Sequence, residues 1–155
     1  MICGLTLLLS ACGFQLRQET VLVDGLSPMV WQAEVEANDF YQSFRDALAD
    51  YQVSLAQQPA DVLFTLHTLD VKDSVLGKVR TLSATAVWSL TNQWGDTIIY
   101  RRISSEQVSD TDVESASERA QLTAQLHQAL SQKFIAQLSQ VGVEQLDSKP
   151  KELSE

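Results

Sequence analysis

The alternation of apolar and polar positions divides the chain into strands and helices. Residues 29–35 alternate, with Met29, Trp31, Ala33 and Val35 on one side and Val30, Gln32 and Glu34 on the other, which predicts a strand with one buried face. Asn38 offers an N-cap, Asp39 suits the positive end of a helix, and Phe40, Phe44, Ala47, Leu48 and Tyr51 recur at helical spacing. An amphipathic helix is predicted over 39–51. After a break around Pro59, residues 62–71 carry apolar side chains on both sides of the pleat: Val62, Phe64 and Leu66 against Leu63, Leu69 and Val71. That is the pattern of an interior strand. A turn containing Gly77 is expected at 73–78. Residues 79–93 then alternate at length, Leu82, Ala84, Ala86, Trp88 and Leu90 facing one way and Thr81, Ser83, Thr85, Ser89 and Thr91 the other. Trp94, Gly95 and Asp96 make a short hairpin loop, and 97–105 returns as the antiparallel partner. In the last element, Ser115 and Glu118 form a capping box ahead of a broad apolar arc, Leu122, Leu126, Ala129, Leu130, Phe134, Leu138 and Val141. Gly142 supplies the stop.

The order strand, helix, three strands, helix predicts an α+β domain, with two helices packed on one face of a four-stranded mixed β-sheet. That face carries Trp31, Trp88 and Leu90. The opposite face, rich in Thr and Ser, is too polar for a second helical layer, so it meets either water or a partner.

The N-terminus follows a different pattern. Residues 2–11 are uncharged and largely apolar, far shorter than the roughly 20 residues a spanning helix needs. They read as the apolar region of a secretory signal, although no Lys or Arg precedes them. Leu9-Ser10-Ala11-Cys12 is the pattern of a bacterial lipobox, in which the cysteine is acylated and becomes the first residue after cleavage. Cys3 would leave with the signal, so no thiol pair remains for a disulfide. The expected organisation is a signal at 1–11, a lipidated tether at 12–28, one domain at 29–142 and a loose polar tail at 143–155. The acyl chains would anchor the protein to a membrane without spanning it.

Composition narrows the partners. At 45% hydrophobic and 20% charged, the chain has material for a core and is not a disordered acidic tract. A net charge of −9 argues against nucleic-acid binding. His67 and His127 have no carboxylate or thiol at ligand spacing, so each reads as a structural or surface histidine. Glu106, Asp110, Asp112 and Glu114 miss the spacing of a calcium loop and read as a solvated acidic stretch. Phosphate loop, nucleophile elbow and metalloprotease motif are all absent. No enzyme, metal or cofactor is implied. One region opposes the overall charge: Lys72, Lys78, Arg80, Arg101 and Arg102 face only Asp73 and Asp96, a local +3. Such cations either bind anionic groups or keep exposed strands soluble.

Cys12-Gly13-Phe14-Gln15-Leu16-Arg17, a lipobox cysteine running into Gly, an aromatic, a polar residue, Leu and Arg, resembles the start of the LPS-assembly lipoprotein LptE family. The order of elements extends the likeness along most of the mature chain. The resemblance implies an outer-membrane lipoprotein whose domain plugs the LptD β-barrel lumen from the periplasmic side. It would assist assembly of that barrel and contact lipopolysaccharide during insertion into the outer leaflet. The absence of Asp at position 13 implies, within that resemblance, sorting to the outer membrane. A family basic residue between the second and third strands maps onto residues 74–80, which offer Lys78 and Arg80. A second family lysine falls near Ser117, with Arg119 its nearest basic substitute. The alternative is an accessory lipoprotein of another periplasmic lipid-transport or cell-wall complex, and a small hydrolase ranks third for want of a nucleophile and base.

Overall fold

A computed structural model of the chain describes residues 22–57, 60–110 and 115–147. Cys12, the motif that follows it, Asp112 and Glu114 lie outside the described residues. The strands are β1 (Met29–Ala33), β2 (Leu55–Ala56), β3 (Val62–Leu76), β4 (Val79–Thr91) and β5 (Thr97–Asp110). The helices are α1 (Asn38–Ala49), α2 (Ala116–Leu138) and α3 (Val143–Asp147). The α+β class with helices against a mixed sheet is as expected, but the sheet has five strands, ordered β2-β1-β3-β4-β5. The extra strand, β2, is two residues long and pairs parallel with β1, too short to show any periodicity. β1 runs parallel to β3, and β3, β4 and β5 form an antiparallel meander.

The core forms where α1 and α2 lay aromatic residues on one sheet face. Phe134 of α2 is fully buried, with its ring 5.3 to 5.5 Å from those of Phe40, Phe44, Phe64 and Trp88. Trp31 stacks on Phe64 at 5.2 Å, and the Trp88 indole N–H donates to Gln137 Oε1 at 3.2 Å, so its polar edge is satisfied inside the core. Burying a side chain of this size contributes about 1.5–3 kcal/mol. α2 begins at the expected capping box: Ser115 Oγ accepts from the Glu118 N–H at 3.3 Å, and the Glu118 carboxylate accepts from the Ser115 N–H. α1 instead starts with Ala37 at the N-cap position and Asn38 already helical, so the expected Asn38 cap is not used.

Three departures shape the surface. First, β3 is the central strand, as its pattern implies, but its apolar residues Leu69 and Val71 beyond Leu66 do not lie on a second face. The register with β4 slips between Leu66 and Thr68, leaving His67 as a bulge. An extra residue reverses the side-chain parity. Leu69 and Val71 therefore face the helices along with Val62, Phe64 and Leu66, opposite Ala86 and Ala84. Second, residues 73–76 are strand and not turn. Asp73 pairs with Leu82 and Ser74 with Thr81, and the chain reverses in the two residues Gly77 and Lys78. Gly77 has φ +62°, a conformation that a side chain would strain. β5 likewise continues past Ser105 to Asp110, so Glu106 and Asp110 belong to a strand. Third, the domain margins are packed. Leu22 and Leu26 are buried in the stretch assigned to the tether, and α3 occupies the start of the expected tail with Leu146 buried. Gly25 permits this approach, because a Cβ there would lie 2.9 Å from Leu146 Cδ1.

Candidate functional site

The β3–β4 hairpin carries the two basic residues singled out in the sequence, and the structure separates their roles. Lys78 is exposed in the two-residue turn. Arg80 projects from β4 on the helix-facing side, where its Nε lies 3.0 Å from Asp73 Oδ1, with side chains 13% and 38% exposed. Positions 73 and 80 are diagonal neighbours across the β3–β4 ladder, given the pairs Val75–Arg80 and Asp73–Leu82. Arg80 is thus largely covered and engages Asp73, whereas Lys78 lies in the exposed turn. Apolar side chains flank it: Leu76 is 86% exposed, with Val75 and Val79 also exposed. A cation set among exposed apolar side chains can meet a molecule that is both anionic and greasy.

Arg119 stands elsewhere. It is exposed in the first turn of α2 and lines a cleft of about 510 Å³ between α1 and α2, with Asp39, Gln42, Ser43, Thr123 and His127. The structure therefore brings Lys78 and Arg80 onto one hairpin and puts Arg119 on a separate helical surface. His127 is buried at that cleft, edge-on to Phe40 at 5.9 Å, and burial lowers its pKa, with the Asp39 charge acting in the opposite direction. It is a packed core-margin histidine.

On the opposite sheet face the structure assembles a chain of polar groups that sequence reasoning missed. Glu34 follows β1, and its N–H continues the parallel ladder to the Leu66 carbonyl at 2.9 Å. His67, pushed outward by the bulge, places Nδ1 3.0 Å from Glu34 Oε2 and Nε2 2.9 Å from Ser89 Oγ, while its ring lies 5.3 Å from that of Tyr100. Carboxylate, imidazole and hydroxyl stand in the order that activates a serine nucleophile. Ser89 is only 5% exposed, so its hydroxyl is largely covered. The arrangement ties the segment after β1 to β3 and β4. Around it the face carries Thr81, Ser83 and Thr85, as their alternation implies, together with the exposed side chains of Tyr100 and Val108. Among the described residues no group of three or more histidines, cysteines or carboxylates could hold a metal, and no helix is long and apolar enough to cross a membrane.

Helices on one face of a mixed sheet define a fold seen in several solved bacterial proteins. A minor lipoprotein from Acinetobacter baumannii superposes with a TM-score of 0.66 at 14% identity, covering 77% of this chain and 93% of that one. Uncharacterized lipoprotein B from Nitrosomonas europaea gives 0.62 at 11% identity, covering 82% and 90%. The rare lipoprotein B from Shewanella oneidensis gives 0.52 at 12% identity, covering 74% and 92%. At these identities the likeness establishes a shared fold. No family model and no curated protein matches the sequence.

Proposed function

We propose that this chain is an outer-membrane lipoprotein, acylated at Cys12, that plugs and helps assemble an LptD-type β-barrel and contacts lipopolysaccharide. The observation that carries the reading is a conjunction of fold and motif. The domain has the fold of proteins named as bacterial lipoproteins, and this chain's own residues 9–12 form a lipobox. The polar outer face supports a role against a barrel wall, and Lys78 at the hairpin tip is the best-placed contact for a phosphorylated lipid. Arg80 supports that contact indirectly, by tying β4 to β3, and Arg119 offers a second, separate cation.

The test is made on the full-length protein in a Gram-negative envelope. Acylation is read by incorporation of labelled fatty acid and should vanish in Cys12→Ser. Purified protein is then titrated with lipopolysaccharide: Lys78→Glu should weaken binding, with Arg119→Glu having a smaller effect. Label incorporation into Cys12→Ser, or unchanged binding by Lys78→Glu, contradicts the proposal.

A further inference from the structure

β5 forms one margin of the sheet, and among the described residues no strand pairs with its far side. It spans 14 residues, and its register with β4 is unbroken from Ile99 to Asp110. Such an edge, without a bulge or proline along this length, is a template for strand addition. Two side-chain contacts show which backbone groups point away from β4. The Tyr100 carbonyl accepts from Arg101 Nη1 at 3.2 Å, and the Ser104 carbonyl accepts from Lys133 Nζ. In an antiparallel strand the N–H and C=O of a residue point the same way, so the even-numbered residues turn their backbone groups away from β4. The side chains of Tyr100, Arg102, Ser104, Glu106 and Val108 are exposed on the outer face, Tyr100 and Val108 at 58% each.

We propose that this edge pairs with the β5 edge of a second copy of the chain, antiparallel, about a two-fold axis at Ser104. The argument is self-complementarity. An axis at Ser104 uses the outward backbone groups and sets Arg102 opposite Glu106 and Tyr100 opposite Val108, each pair occurring twice. Moving the axis two residues in either direction sets Arg102 against Arg102 or Glu106 against Glu106, and like charges directly opposite are destabilising. Moving it by one leaves both charges facing uncharged side chains. Lys133 now covers the Ser104 carbonyl and Arg101 the Tyr100 carbonyl, and both give way to the partner's N–H groups. The pairing joins two five-stranded sheets into one and removes the long open edge from both. It does not depend on the barrel or on lipopolysaccharide.

The experiment uses the full chain, purified in detergent without other proteins. In the proposed register two Ser104 residues face each other as a hydrogen-bonded pair, with Cα atoms about 5.5 Å apart, within the range a disulfide spans. Ser104→Cys should give a reducible dimer on mild oxidation, above whatever the parent chain gives. Arg102→Cys and Glu106→Cys should each fail alone and crosslink when mixed. In sedimentation equilibrium, Arg102→Glu should raise the dimer dissociation constant about tenfold, and Arg102→Glu combined with Glu106→Arg should restore it. A chain that stays monomeric at all concentrations overturns the proposal. So does equal crosslinking at positions 102, 104 and 106, or a dimer that the paired charge swap leaves weakened.

Discussion

Reversing Arg80 and reversing Lys78 should have different consequences, although the two residues lie in one hairpin and carry the same charge. The Arg80 guanidinium stands 3.0 Å from Asp73, with 13% of its side chain exposed. Arg80→Glu removes the partner of Asp73 and puts a second carboxylate beside it. Breaking a fully buried ion pair costs about 3–5 kcal/mol, and breaking an exposed one about 0–1 kcal/mol. This pair has one covered member and one that is 38% exposed, which places the loss near 2 kcal/mol. At about 4 °C per kcal/mol for a domain of this size, the midpoint should fall by about 8 °C. Lys78→Glu, on an exposed turn, should change stability by no more than about 0.5 kcal/mol. Thermal unfolding by circular dichroism separates the two. A double-mutant cycle with Asp73→Asn should show coupling of about 1–2 kcal/mol. Equal midpoints for the two reversals, or no coupling to Asp73, would refute this division of roles. Reversing both residues together therefore confounds lipid binding with stability.

Phe134→Ala should destabilise by about 3–5 kcal/mol, because it empties the centre of a five-ring cluster, and urea unfolding should show it as a lower midpoint with unchanged slope. His127 sets a pH dependence. Its pKa is lowered on folding, so the unfolded chain binds the proton more readily, and the stability associated with neutral His127 is present above the unfolded value of 6.5. That contribution is lost as pH falls through 6.5 toward the lowered folded value. Urea midpoints between pH 8 and 5 should therefore drop more steeply for the parent chain than for His127→Gln, and parallel profiles would contradict the assignment.

The long alternation of β4 and the capping box of α2 were legible because each is a local pattern that tertiary packing reinforces. Leu82, Ala84, Ala86, Trp88 and Leu90 are all buried, as their alternation implies. The bulge at His67 was not legible, since it depends on the pairing register of β3 and β4. It also explains why Leu69 and Val71 fall out of phase with Val62, Phe64 and Leu66 in the sequence while sharing their face in the sheet. Asp73 and Ser74 read as turn residues but pair in the ladder, so the strands run to the two-residue reversal at Gly77 and Lys78. The ion pair of Arg80 with Asp73 could be inferred only once that turn length was known. Glu34, His67 and Ser89 come from three separate segments, and no spacing along the chain links them. α3 escaped because five residues in a polar stretch carry no periodicity; Leu146 is held by contact with the turn at Gly25.

The central claim is that the polar sheet face lies against a barrel wall. A photoreactive amino acid at Thr85, in the middle of that face and part-exposed, tests it most directly, whereas Ser89 is too buried to report. Irradiation of cells carrying the full-length protein should yield one crosslinked band containing a large outer-membrane β-barrel, absent when the same group replaces buried Leu130 on the helical side. Crosslinks from Thr85 only to soluble periplasmic or inner-membrane proteins, with the chain extracted free of any barrel, would contradict the account.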